Sequence, residues 1–167
     1  MAHPEDAGHA DAPLITIGIC TWNRQALLQS TLESLTKLRA GDIPYEIIVV
    51  DNNSTDGTAA VLQSYLTRLP LRVVFESRQG LSHARNALVE AARGRHLIWT
   101  DDDVLVDPGW LAAYARAFAA WPDLAVFGGP IDPWYEETPP AWLPPAIKAI
   151  GGIYLVVATP DGPISGG

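Results

Sequence analysis

The stretch from residue 45 to residue 68, YEIIVVDNNSTDGTAAVLQSYLTR, contains the unit from which the chain is built. Its first part, residues 45–50, is a short run rich in Ile and Val, which is typical of a strand buried on both faces of a parallel sheet. Its last part, residues 56–68, places apolar side chains at helical spacing. The polar segment DNNSTDGT between them has the composition of a turn. The stretch therefore predicts a β-strand, a loop and an α-helix.

The same unit recurs along the chain. Further apolar runs of strand length occupy residues 14–20, 71–75, 95–100 and 124–127. Helical patterns occupy residues 24–38, 82–93 and 108–121. Repeated β-α units cross over with right-handed connections, so we predict an α/β fold, a Rossmann-like three-layer sandwich with a mostly parallel sheet. Ligands of such folds bind at the carboxyl ends of the strands, so functional residues are expected in the loops that follow the strands.

Composition excludes several kinds of protein. The chain has 167 residues, 48% of them hydrophobic, which is enough for a buried core. Its formal charge of −8 argues against a nucleic acid or an anionic membrane surface as the main partner. Cys20 is the single cysteine, and no apolar stretch is long enough for a transmembrane segment. A cytoplasmic location is expected, with peripheral attachment to a membrane as the alternative.

Three consecutive carboxylates, Asp101, Asp102 and Asp103, follow the apolar run at residues 95–100. Neighbouring charges of like sign repel each other by about 1 kcal/mol in water and by more inside a protein. The chain has neither GxxxxGK[ST] nor GxGxxG, the usual glycine-rich phosphate loops. A carboxylate-bound Mg²⁺ or Mn²⁺ would offset the repulsion and would bind a diphosphate. The alternative is that the loop is only solvated.

Four segments together carry a family resemblance: ITIGICTWNR, IIVVDNNSTDGT, GLSHARNAL and IWTDDDVLVDPGWL. In this order they resemble the nucleotide-sugar-binding part of family-2 glycosyltransferases of the GT-A fold. The resemblance covers about residues 14–130 and makes the acidic cluster the DxD-type motif of that family. It implies an inverting transfer, most commonly from a UDP-sugar, with Mg²⁺ or Mn²⁺ as cofactor and an acceptor that the sequence does not identify.

The resemblance also implies roles for individual residues. Asp103 would be the metal ligand to the diphosphate, and Asp51 would contact the base. The residues implied to bind or approach the nucleotide-sugar are Thr21, Asn23, Arg24, Asp51, Asn53, Ser54, Gly80, Arg85, Asn86, Asp101 and Asp102.

Simpler interpretations remain open for some of these residues. The segment DNNSTDGT is also typical of a turn with a helix cap, because Asn, Ser and Asp side chains accept hydrogen bonds from free amides at a helix start. Ser82, Arg85 and Asn86 share a helix face by their spacing, but any exposed face would have that pattern. Two other functions also fit the sequence, a sugar nucleotidyltransferase and a non-catalytic nucleotide-sugar-binding module. The first is weakened by the missing glycine-rich phosphate loop.

The expected organisation has three parts. Residues 1–12 are predicted to be a flexible tail, residues 13–130 the nucleotide-sugar-binding domain, and residues 131–167 a proline-rich loop with the start of a truncated acceptor-side region. In the family that the chain resembles, the catalytic base lies beyond this region, so the chain is expected to be incomplete for catalysis. The carboxylates that could replace that base within the chain are Asp132, Glu136, Glu137 and Asp161.

Overall fold

The structure, a computed structural model, describes residues 14–135 and 137–144. The chain divides after Trp121 into two compact units. The helices and strands of the first unit are β1 (Ile15–Thr21), α1 (Gln25–Leu35), β2 (Tyr45–Asp51), α2 (Thr58–Tyr65), β3 (Leu71–Phe75), α3 (Leu81–Ala91), β4 (His96–Trp99) and α4 (Trp110–Ala120). The predicted tail at residues 1–12 lies outside the described residues.

The four strands form one parallel sheet in the order β3-β2-β1-β4. The carboxyl ends of three strands coincide, since Thr21 of β1 lies opposite Asp51 of β2, and Asp51 lies opposite Phe75 of β3. The strand β4 pairs with the other side of β1, with His96 opposite Ile15. The strand order therefore reverses between β1 and β4. The predicted α/β fold with a parallel sheet is confirmed, and its reversal point is where such folds bind ligands.

One face of the sheet is covered by α3. Ile48 and Val50 of β2 pack with Ala84 and Leu88 of α3 in a buried cluster. A Cβ atom at Gly18 would lie 2.6 Å from a methyl carbon of Leu88. Glycine is therefore what allows the helix to rest directly on the central strand β1.

The opposite face belongs to α1 and α2. Right-handed crossovers that run in one direction, β1 to β2 to β3, place both of their helices on the same face. The connection from β3 back to β4 runs the other way and places α3 on the other face. Leu28 and Leu32 of α1 and Leu62 of α2 are buried, as are the alternate strand residues Ile17 and Val49. The sheet thus lies between two helical layers.

The amino edge of the sheet is held by a buried carboxylate. Glu46 accepts hydrogen bonds from Thr16 Oγ1 at 2.9 Å, the Arg93 amide at 2.8 Å and Arg72 Nη1 at 2.8 Å. Burial alone would raise the pKa of Glu46, but these hydrogen bonds outweigh it and hold that pKa below its usual range. The carboxylate therefore stays ionised and binds three separate segments together. This edge is the one remote from the strand-end loops.

The predicted fifth strand at residues 124–127 is wrong. This segment has no regular structure, and Val126 in it is 85% exposed. A strand exists only if a neighbouring backbone pairs with it, and a short apolar run does not specify such a partner.

Among the described residues, no helix is both long and apolar enough to cross a membrane.

Candidate functional site

A cleft of about 500 Å³ opens at the carboxyl ends of the strands. That volume lies within the range of small-molecule sites. Three of the predicted site residues, Thr21, Arg24 and Gly80, line it. Asn52, Gln79 and Trp22 also line it, and the sequence analysis did not single them out. The cleft is thus built from the loops that follow β1, β2 and β3.

The loop of residues 101–103 that follows β4 is called here the acidic loop, and its middle residue, Asp102, is turned into the protein. It is 4% exposed, and its Oδ2 accepts a 2.7 Å hydrogen bond from Thr21 Oγ1. Its Oδ1 accepts a 3.1 Å hydrogen bond from Arg24 Nη1, and its backbone carbonyl accepts one of 2.9 Å from Thr31 Oγ1. Asp102 therefore fastens the acidic loop to the end of β1 and to α1.

Arg24 offsets the repulsion between neighbouring carboxylates. Its Nη1 also donates to Asp103 Oδ2 at 3.1 Å, so one guanidinium is shared by Asp102 and Asp103. The Asp102 carboxylate is the main cause of a raised pKa at Arg24, and Asp103 adds to it. Arg24 therefore supplies a positive charge of the protein itself beside the acidic loop.

The outer carboxylates have the chemistry of a divalent-cation site. Asp101 and Asp103 are exposed, and within the described part of the chain no hydrogen bond reaches Asp103 Oδ1. No group of three or more His, Cys, Asp or Glu side chains that could hold a metal occurs among the described residues. Mg²⁺ commonly takes one or two protein carboxylates and completes its shell with phosphate oxygens and water. The donor set therefore fits a hard cation that arrives with a phosphate ligand.

Asn23 and Ser54 join the loops after β1 and β2. The Asn23 amide donates to Ser54 Oγ at 3.0 Å, and Asn23 Oδ1 accepts a 2.7 Å hydrogen bond from the Thr55 amide. Asp51 is buried and accepts a 2.9 Å hydrogen bond from the Ser54 amide. Asn23 and Asn53 have φ angles of 52° and 66°, in the left-handed region that Asn tolerates. Asn53 itself is exposed.

Asp56 supplies the helix cap that the sequence left open. Its Oδ1 accepts a 3.0 Å hydrogen bond from the amide of Thr58, the first residue of α2. Its Oδ2 accepts one of 3.1 Å from the amide of Gln25, the first residue of α1. One carboxylate thus caps two helices, which fixes how the first two strand-end loops lie relative to each other.

Asn52 connects the loop after β2 to the loop after β3, a role that the sequence analysis missed. Its side chain is buried; Nδ2 donates to the carbonyls of Glu76 at 3.0 Å and Arg78 at 2.7 Å. Its Oδ1 accepts a 2.8 Å hydrogen bond from the Gly80 amide. The sequence signal for this role was only its place directly after Asp51, because the partners lie more than twenty positions away.

Arg85 and Asn86 lie exposed on α3. The Arg85 guanidinium lies 5.8 Å from the ring centre of Trp99, at the end of β4. Burial raises the pKa of the nearby Cys20 thiol to about 11, against an opposing effect of Arg85. Cys20 is therefore a neutral thiol at physiological pH and not a thiolate nucleophile. The helix brings Arg85 towards the same edge as the acidic loop.

The candidates for a catalytic base lie beyond the first unit. Asp132 and Glu137 are exposed in the second unit. Glu136 and Asp161 lie outside the described residues.

Comparison with known proteins identifies the family. The sequence profile of Glycosyl transferase family 2 matches residues 16–158. The chain is 33% identical over 118 residues to the Validoxylamine A glucosyltransferase of Streptomyces hygroscopicus subsp. limoneus, with 70% of this chain and 26% of that protein covered. It is 28% identical over 135 residues to the succinoglycan biosynthesis protein ExoM of Rhizobium meliloti, with 77% and 42% covered. The chain therefore spans about a quarter to two fifths of these relatives.

Solved structures agree with the predicted fold family. S. aureus TarS 1–349 in complex with UDP-GlcNAc matches with a TM-score of 0.56 and 26% identity, covering 64% of this chain and 31% of that one. The mannosyltransferase PcManGT of Pyrobaculum calidifontis, in complex with GDP-Man and Mn²⁺, matches with a TM-score of 0.59 and 29% identity, covering 65% and 33%. The predicted resemblance to family-2 enzymes of the GT-A fold is confirmed.

Proposed function

The chain belongs to glycosyl transferase family 2, and from this membership we propose that it binds a nucleotide-sugar donor whose sugar is transferred to an acceptor hydroxyl. The observation that carries the proposal is the cleft at the carboxyl ends of β1, β2 and β3, because two of its lining residues, Thr21 and Arg24, bond Asp102 of the acidic loop. Two structural neighbours hold UDP-GlcNAc and GDP-Man. We propose a UDP-sugar as the donor here.

We further propose Mg²⁺ or Mn²⁺ as the cofactor, with Asp103 as its protein ligand. The structure of the neighbour PcManGT is a complex with GDP-Man and Mn²⁺, which supports this choice. When bound, the cation would neutralise charge that develops on the departing nucleoside diphosphate. Arg24 holds Asp103 through Oδ2 only, so Oδ1 is the oxygen that remains for a cation.

The proposed reaction is a direct displacement with inversion at the anomeric carbon. The acceptor oxygen forms the new bond to that carbon while the bond to the diphosphate oxygen breaks. The proton of the hydroxyl passes to a general base, which must lie within hydrogen-bond reach of it. Asp132, Glu136, Glu137 and Asp161 are the candidates for this base within the chain.

Arg24 and Arg85 are the cations proposed to act on the donor. Arg24 lines the cleft with its guanidinium half exposed, and Arg85 lies exposed on α3, near Trp99. Guanidinium groups bind phosphate oxygens with fixed geometry. In an acidic protein such local cations are needed to attract an anionic ligand. Both side chains are therefore proposed to orient the diphosphate rather than to transfer a proton.

The proposal is tested by calorimetric titration of the protein with UDP and with GDP, each in Mn²⁺, in Mg²⁺ and in a chelator. We expect UDP to bind, and to bind more tightly with either cation. Equal affinity for UDP in chelator would contradict the role of the cation. Binding of GDP without binding of UDP would indicate a GDP-sugar as the donor in place of a UDP-sugar. The Asp103→Asn variant should bind UDP as the wild type does in chelator.

A turnover assay addresses the alternative of a non-catalytic module. A module of that kind would bind the UDP-sugar without consuming it in any acceptor mixture. Release of UDP from a UDP-sugar, measured over hours, separates the two. Family membership already favours glycosyl transfer over the sugar nucleotidyltransferase reaction, which would require a nucleoside triphosphate as the tight ligand.

A further inference from the structure

The segment from Glu76 to Gly80, called here the 76–80 loop, forms one wall of the cleft and connects β3 to α3. Gly80 has φ 135° and ψ 135°, a conformation that essentially only glycine adopts. Its carbonyl accepts the first hydrogen bonds of α3, from the amides of His83 and Ala84. The shape of this loop therefore sets where the helix begins and where the wall of the cleft lies.

Asn52 ties this loop to the rest of the cleft. Its side chain bonds both ends of the loop, through the carbonyls of Glu76 and Arg78 and the amide of Gly80. Its backbone amide donates to the Thr21 carbonyl at 2.9 Å. A single residue thus connects the ends of β1, β2 and β3, where the proposed donor would lie.

The loop has a second restraint that does not replace the first. The Glu76 carboxylate accepts hydrogen bonds from the Arg78 amide at 2.8 Å and from its guanidinium at 3.0 and 3.1 Å. These contacts are internal to the loop, so they keep its local turn but do not attach it to β2. Apart from the contacts of the Asn52 side chain, the loop is attached to β2 at its start, where the Glu76 amide donates to the Asp51 carbonyl at 3.0 Å. The positions of Arg78 and Gly80 therefore depend on Asn52.

We propose that Asn52 is a positioning residue, which holds the 76–80 loop as a fixed wall of the cleft and thereby sets the affinity for the nucleotide part of the donor. The inference rests on the proposed function for the identity of the ligand. Asn52 lines the cleft, but its side-chain amide is bonded to the carbonyls of Glu76 and Arg78 and to the Gly80 amide, so we infer that it acts through the loop. Losing it lets the wall open, so nucleotide binding weakens while the rate of transfer from the bound donor stays close to that of the wild type.

Limited proteolysis tests the positioning directly, because the Arg78 carbonyl that Asn52 holds belongs to a bond that trypsin cleaves. In Asn52→Ala we expect cleavage after Arg78 to accelerate by about tenfold or more without ligand. The substitution removes the hydrogen bonds of the Asn52 side-chain amide, so the loop opens to the protease more often. Cleavage after Arg68, which is exposed and paired with Glu33, is the internal reference. Ser77→Ala changes an exposed side chain of the same loop and should cleave like the wild type.

Binding is measured in parallel as the Kd for UDP with Mn²⁺, and turnover of the UDP-sugar is measured as KM and kcat for the donor. We expect Kd and KM to rise about tenfold in Asn52→Ala with kcat changed by less than about twofold. Equal acceleration after Arg78 and Arg68 would indicate general destabilisation and overturn the inference. So would an unchanged Kd, or a fall in kcat alone.

Two further outcomes are distinguishable. If the Ala variant does not fold, judged by circular dichroism, Asn52→Ser is used, because its shorter side chain retains at most part of the contacts and should show smaller shifts in the same direction. If the wild type binds no nucleoside diphosphate, the proposed function fails and the nucleotide part of this inference fails with it. Selective cleavage after Arg78 would then still decide the positioning part.

Discussion

Thr21 and Asp102 are 81 positions apart in the chain, yet the Thr21 hydroxyl donates a 2.7 Å hydrogen bond to the Asp102 carboxylate. Both side chains are buried, at 3% and 4% exposure. The contact crosses the reversal point of the sheet, from the end of β1 to the loop after β4. Of the three consecutive aspartates, it is therefore the middle one that supports the others, while its two neighbours face solvent.

Asp102 and Asp103 should respond differently to the same substitution. In Asp102→Asn a buried acceptor of two hydrogen bonds is altered, and we expect the free energy of unfolding to fall by about 1–3 kcal/mol. In Asp103→Asn only a half-exposed ion pair is lost, and a change of about 0–1 kcal/mol is expected. Urea unfolding without ligand measures both. Equal losses would mean that Asp103 also has a structural role.

Thr21→Val tests the contact from its other side. Valine has nearly the shape of threonine but donates no hydrogen bond, so the buried Asp102 oxygen loses its partner. We expect a loss of about 1–3 kcal/mol in the free energy of unfolding. Ser30→Ala is the matched control, since it removes a hydroxyl of α1 that is exposed and bonded only to the Ala26 carbonyl. If both variants lose the same free energy of unfolding, the Thr21–Asp102 hydrogen bond stabilises the protein no more than an exposed hydroxyl does.

Gly80→Ala should be costly because of its backbone conformation. The nearest atom to an added Cβ is a ring carbon of His83 at 3.6 Å, an ordinary contact, so the cost would come from φ 135°. We expect a loss of about 1–3 kcal/mol in the free energy of unfolding. Gly41→Ala is the comparison, with φ 55° and open space around it, where about 1 kcal/mol is expected. A smaller effect at Gly80 than at Gly41 would contradict this reasoning.

The Glu76–Arg78 ion pair predicts that the stability of the protein depends on pH in the acid range. The hydrogen bonds from Arg78 lower the pKa of Glu76 from 4.5 to about 2. A carboxyl whose pKa is lowered by folding stabilises the protein above its unfolded pKa and loses that contribution as the pH falls through its folded pKa. We expect the stability difference between wild type and Glu76→Gln to be constant above about pH 5 and to shrink between about pH 4.5 and 2. A difference that does not change with pH would show that the charge of Glu76 is unimportant.

The sequence predicted the elements better than their partners. The four strands of the sheet followed from Ile- and Val-rich runs bounded by polar loops, because burial on both faces leaves that pattern. The run at residues 124–127 has the same composition but no paired neighbour, and composition does not encode one. The roles of Asn52 and Asp102 depend on contacts with residues distant in sequence. A short motif at the end of one strand carries no information about such contacts. Asp56 was predictable as a cap, but its second bond, to the Gln25 amide, was not.

The position of β4 has a consequence for how the protein folds. The strands β1, β2 and β3 are neighbours both in sequence and in the sheet, so they can pair as each emerges. The strand β4 must instead find β1, which is the most distant strand along the chain, after the other edge of β1 is already occupied. Contacts of such long sequence separation form slowly, because closing the loop costs entropy before the contact gives any stability. We therefore expect the acidic loop to reach its place last, so that a nascent or destabilised chain acquires the sheet before it acquires the ability to hold a ligand.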